Sequence, residues 1–141
     1  MVTENVLDSC RLARKLSALD EMFAFLQTRL PRGANDEEVV FCVNLAAEEL
    51  FTNLIRHNQG LGDYILLELE VSEPRIFFSF TDYDVAPFDP RAVPAPRLEA
   101  PIQERNPGGL GMHLVRSVVD RVTYEYQDRA MRVSAEKQRR R

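Results

Sequence analysis

The sequence predicts an α+β domain, a two-layer α/β sandwich in which helices cover one face of a mostly antiparallel sheet. Three observations predict it. Two pairs of short alternating segments, 63–71 with 75–82 and 122–127 with 131–137, are separated by only three residues each, the pattern of antiparallel hairpins. Two segments with apolar residues at helical intervals come before the first pair, and a third, opened by glycines, lies between the pairs. The chain has 141 residues, enough to bury a core without disulfides, and reads as one domain over 1–141.

"SCRLARKL" (9–16) alternates weakly and is predicted to be an edge strand. "SALDEMFAFLQTRL" (17–30) follows as a helix, with Ser17 and Asp20 in capping-box spacing. "PRGAND" (31–36) breaks it and offers Asn35 or Asp36 as the next N-cap. The second helix is expected from about Glu37 to His57. "DYILLELEV" (63–71) sets Ile65, Leu67, Leu69 and Val71 on one side of a strand, and "RIFFSFTD" (75–82) does the same with Ile76, Phe78 and Phe80. Six of the eight prolines fall between Pro87 and Pro107, so 86–107 reads as a long loop, the kind that often serves as a lid. In "GGLGMHLVRSVVDRV" the stripe Met112, Val115, Val118, Val119 and Val122 predicts a helix. The strands 122–127 and 131–137 close the chain.

A net charge of −4 gives no general reason to expect nucleic acid as a partner. The terminal "KQRRR" reads as a solvated tail. Cys10 and Cys42 lack metal-ligand spacing and read as buried thiols in a reducing compartment. No apolar run reaches the ~18 residues of a membrane span, and the N-terminus lacks a signal-peptide pattern. The expected location is the cytoplasm.

On a wheel of the second helix, Val39, Val43, Ala46, Leu50 and Leu54 form the sheet-facing stripe. Asn53 lies roughly 60° and Glu49 roughly 100° from its middle. Glu48 projects toward solvent. Phe51 and Ile55 project outward, where the first helix is expected to pack on them. A carboxylate and a carboxamide beside a core are costly to desolvate unless something pairs with them. Taken alone, the Glu49–Asn53 spacing reads as a solvated flank with an i,i+4 contact, since such a spacing often arises by chance. Asp82, at the end of "FFSFTD", reads alone as a turn-former. "PGGLGMHLV" (107–115) combines glycines that permit close backbone approach with a helix N-terminus that favours an anion; alone it is equally a hinge.

In order, "EELFTNLIRH", the strand-terminal Asp82, a proline-rich loop with "FDP" at 88–90, and "GGLGMHLVRSVVDRVTYE" resemble the GHKL (histidine-kinase-like) ATPase superfamily with its Bergerat ATP-binding fold. The resemblance covers nearly the whole chain. It is nearest to the anti-sigma-factor serine kinases of bacterial partner-switching systems. It implies that Asn53 would ligate the Mg2+ bridging the phosphates of ATP, and that Glu49 would be the general base for a serine hydroxyl or water. Asp82 would accept from the adenine amino group. Gly108, Gly109, Leu110 and Gly111 would wrap the phosphates, and about 90–107 would be the ATP lid. Arg56 and His57 would stand at the rim. The implied partners are a sigma factor and a STAS-type anti-anti-sigma antagonist phosphorylated on serine, with a homodimer expected and neither direct nucleic-acid nor membrane binding.

Two departures stand out. Asp84 occupies the position of a glycine in the family's DxG-type turn, which asks for a left-handed backbone that Asp tolerates better than most residues. Ala130 and Met131 replace a Gly-Asn-type signature in the last hairpin. The alternative reading is a non-catalytic anti-sigma binding module with a degenerate nucleotide pocket.

Overall fold

The computed structural model describes residues 6–57, 62–85 and 107–139, with side chains in the last segment from Gly111 onward. Its strands are β1 (Val6–Ala13), β2 (Tyr64–Val71), β3 (Arg75–Asp82), β4 (Arg121–Gln127) and β5 (Ala130–Gln138). Its helices are α1 (Leu19–Arg29), α2 (Glu37–His57) and α3 (Pro107–Val118). The sheet order is β1-β2-β3-β5-β4, and every neighbouring pair is antiparallel. This is the α+β sandwich the sequence predicts, with β1 at an edge.

Strand parity sets the layers. Phe78 and Phe80 on β3 are fully buried and meet edge-on with centroids 6.0 Å apart, and Phe80 lies 5.8 Å from Phe51 of α2. The parity that carries Ile76, Phe78 and Phe80 therefore faces the helices, and Asp82 shares it. Registered neighbours extend that face as a row, Leu12, Ile65, Asp82 and Met131. Each fully buried Leu or Phe in this layer contributes about 1.5–3 kcal/mol of hydrophobic stabilisation.

Several local expectations change. The first strand begins three residues earlier than its weak alternation suggested and ends at Ala13. The capping box does not form: Leu16–Ala18 is a 3-10 turn, Ala18 becomes the N-cap of α1 without a side-chain bond, and Asp20 and Glu21 in the first turn face the dipole instead. Asn35 and Asp36 likewise lie inside a 3-10 turn, Ala34–Asp36, with no side-chain cap bond at its start. Asp36 is taken by Arg139, Nε–Oδ1 3.1 Å and Nη2–Oδ2 3.2 Å, while Arg139 Nη1 also donates to the Ser72 carbonyl at 2.6 Å. The basic run at 137–141 is thus partly built into the fold, since Lys137 and Gln138 belong to β5. Cys42 is buried but Cys10 only partly, and both are free thiols.

Helix α3 stops at Val118 rather than Val122, because Asp120 closes onto β5: its N–H donates to the Glu136 carbonyl at 2.8 Å, and its carboxylate accepts from the Gln138 N–H at 2.7 Å. The buried face of α2 also runs wider than one stripe, from Cys42 and Asn53 through Val43 and Leu54 to Phe51, an arc of roughly 180° at 100° per residue. Phe51 lies against the sheet, not outward. Helix α2 is the middle of the helical layer, touching α1 and α3. Residues 86–106, with "FDP" and nearly all of the expected lid, lie outside the described residues.

Candidate functional site

Glu49 and Asn53 occupy the edge of α2 that meets α3. A Cβ built on Gly111 would come within 2.5 Å of Glu49 Oε2, so the carboxylate rests in the space that this glycine leaves. Burial is the main cause that raises the Glu49 carboxyl above its ordinary 4.5; repulsion from Glu48 adds to the rise and Arg56 opposes it. Thr52 donates its hydroxyl to the Glu49 carbonyl at 3.1 Å, tying down the turn that follows.

Asn53, one turn on, is 3 % exposed; among the described residues the fully buried side-chain polar atoms without a hydrogen-bond partner are Ser79 Oγ and Arg132 Nε, and the Asn53 carboxamide is not one of them. Its neutral oxygen suits a hard cation such as Mg2+, which usually takes one or two protein ligands plus substrate phosphates. Among the described residues, no group of three or more His, Cys, Asp or Glu side chains is placed to hold a metal ion. Arg56 and His57 are exposed at the C-terminal end of α2, and His57 is lowered from its usual 6.5 by burial and then by Arg56.

Across from this edge, α3 begins at Pro107. Pro at the first helical position has no N–H to satisfy, so the first-turn N–H groups that lack intrahelical acceptors are those of Gly108 and Gly109. They carry the positive end of the helix dipole. Gly111 lies two positions beyond Gly109, where helical bonding has begun. Its part in the geometry is the close approach to Glu49.

The sheet side of the site is occupied differently. Asp82 is fully buried and receives a two-pronged ion pair from Arg14, Nε–Oδ1 2.9 Å and Nη2–Oδ2 3.0 Å. Asp84 adopts φ 56°, the left-handed conformation the sequence asked of it, and its carboxylate accepts from Arg129 Nε at 2.9 Å. Val85 is then pinned to the last hairpin: its N–H donates to the Arg129 carbonyl at 2.9 Å, and its carbonyl accepts from the Tyr126 hydroxyl at 2.7 Å. Burial pattern alone did not single out Arg14. Its signal was parity, because Cys10, Leu12 and Arg14 alternate in phase, which puts a cation on the core face where only a carboxylate can meet it.

A groove of about 530 Å³ between α1 and α2, lined by Phe23, Leu30, Val40 and Asn44, lies along the opposite edge of α2 from Glu49. It holds none of the groups above.

A partly buried carboxylate, a largely buried carboxamide and a helix N-terminus, gathered on one edge of a helical layer over an antiparallel sheet, fit the class of α+β ATP-binding domains. Residues 12–137 match the family described as Histidine kinase-like ATPase domain, and the chain belongs to that family. No curated protein matches it. Among the described residues, no helix is long and apolar enough to cross a membrane.

Proposed function

We propose that the protein is a Mg-ATP-dependent serine/threonine protein kinase acting in the cytoplasm as an anti-sigma factor. It would hold a sigma factor, expected as a homodimer, and phosphorylate a serine on a STAS-type antagonist. The added charge would release the antagonist. The observation that carries this reading is the pairing on α2: Glu49 seated against Gly111 with a raised carboxyl, and the largely buried Asn53 carboxamide one turn away.

Phosphoryl transfer asks mainly for positioning and charge neutralisation. Bound through Asn53, Mg2+ would neutralise charge on the phosphates. The chain's own residues do the rest. The first-turn N–H groups of α3 orient the triphosphate, and Glu49 takes the proton from the attacking hydroxyl at its carboxylate. Partial burial of Glu49 brings its affinity for that proton nearer the working pH.

The test is transfer of labelled phosphate from ATP to candidate antagonists, beside calorimetric titration with ATP and Mg2+. Glu49→Gln is expected to retain nucleotide binding and lose transfer by at least a hundredfold, while Asn53→Ala loses Mg2+-dependent binding. Full transfer by Glu49→Gln would sink the assignment of the base. A second reading, a partner-binding module with a weakened nucleotide pocket, is favoured by one observation: the carboxylates of Asp82 and Asp84 are both engaged by arginines. Partner binding without detectable ATP binding would select it.

A further inference from the structure

We propose that Arg14 is an intramolecular competitor for the Asp82 carboxylate and sets how tightly the site holds an adenine nucleotide. The proposal rests on the reading of Asp82 as the adenine-recognising residue. Asp82 lies in the helix-facing row between Ile65 and Met131 and has no exposed side-chain surface. Arg14 leaves the end of β1 and reaches past β2 to place one nitrogen on each oxygen, with its own side chain only 14 % exposed. Both partners are therefore largely out of water, where screening by salt is weak.

The competition is unequal. A bidentate guanidinium–carboxylate pair is charge-assisted on both strands of the fork and roughly twice as strong per bond as a neutral donor. The exocyclic amino group of adenine is a neutral donor and offers a single N–H to such an acceptor. It meets Asp82 on full terms only in the fraction of molecules whose fork is open, and the apparent dissociation constant rises by the inverse of that fraction. A fork open in a tenth of molecules or fewer weakens ATP binding tenfold or more. Arg14 touches neither the Glu49–Asn53 edge nor the phosphates in this scheme, so its effect falls on the base alone.

The experiment is calorimetric titration of the full chain with ATP and with a purine riboside triphosphate lacking the amino group, both with Mg2+. The proteins are wild type, Arg14→Met, Arg14→Lys and Asn53→Ala. Arg14→Met is expected to bind ATP at least tenfold tighter than wild type and the amino-free analogue equally well. Arg14→Lys, which keeps the charge and loses the fork, is expected to gain about threefold and carries the test if the methionine variant does not fold. ATP binding that Asn53→Ala removes but neither Arg14 variant tightens would overturn the competition and leave the site reading standing. An equal gain for the amino-free analogue would also overturn it. Absence of ATP binding to every form at millimolar nucleotide would overturn the site reading and the competition together.

Discussion

Gly111→Ala separates what this glycine does for the helix from what it does for the site. In a helix interior, alanine is favoured over glycine by about 0.5–1 kcal/mol. Against that gain stands one steric conflict, a Cβ 2.5 Å from Glu49 Oε2 and 3.5 Å from its Cδ. The conflicting atom is the far end of a flexible, partly exposed side chain, so the fold relieves it by moving the carboxylate roughly 1 Å, at a rotamer cost of about 0.5–1.5 kcal/mol. The two contributions nearly cancel, and the unfolding midpoint is expected within about 3 °C of wild type. The activity is not protected in the same way. A 1 Å displacement of a catalytic group can cost on the order of a hundredfold in rate, so kcat for phosphoryl transfer is expected to fall ten- to hundredfold while ATP affinity changes little. Differential scanning calorimetry and single-turnover transfer read the two effects separately. Wild-type kcat in the alanine variant, with an unchanged midpoint, would show that Glu49 does not act from the position described.

Two further outcomes follow from the same geometry. The Glu49 carboxyl is raised in the folded protein, so its neutral form is favoured there. Its contribution to stability is complete below about pH 4.5, the usual carboxylate value, and is lost as pH rises through the higher folded value. Glu49→Gln should therefore raise the unfolding midpoint at pH 7 and not at pH 4. The acid limb of kcat/KM should lie above the ordinary carboxylate range, moving to lower pH in Glu48→Gln and to higher pH in Arg56→Ala; unmoved limbs would exclude Glu49 as the titrating base. In the β4–β5 turn, Asp128 and Arg129 both have positive φ, 54° and 63°, the geometry of a type I′ hairpin that prefers glycine at its second position. Arg129→Gly is expected to raise the thermal midpoint although it removes the Asp84 ion pair, because that pair is exposed and such pairs contribute little; a lowered midpoint would mean that the pair holds the Asp84 turn together.

Regular periodicity carried most of the fold into view. The parity of β2 and β3 and the length of α2 were legible because each buries one face continuously, so that a shift of one residue would expose the core. The errors fall where local and tertiary preferences conflict. Ser17 and Asp36 have the chemistry of caps, but the chain tightens into 3-10 turns there, and Asp36 finds a stronger partner in Arg139, more than a hundred residues away. Phe51 was misplaced because a single stripe was assumed for a helix flanked on both sides, whose buried arc is twice as wide. At the site, the Glu49–Asn53 edge was visible in the wheel. The Arg14–Asp82 pair was harder to see, since 68 residues separate the partners and only the in-phase position of Arg14 hinted at it.

Burial makes different demands on the Asn53 carboxamide and the Asp82 carboxylate, and magnitudes account for the difference. An unpaired carboxamide costs about 1–3 kcal/mol, which a domain with 5–15 kcal/mol of net stability can bear. An unpaired carboxylate among Ile65 and Met131 would cost several times more, enough to endanger the ligand-free fold. Asn53 can therefore do without a partner, whereas Asp82 needs one from the moment the sheet closes. Supplying that partner from within the chain makes folding independent of nucleotide. In the proposed site the same guanidinium stands where adenine would bind, so stability of the free protein and affinity for adenine would draw on one carboxylate and be set against each other.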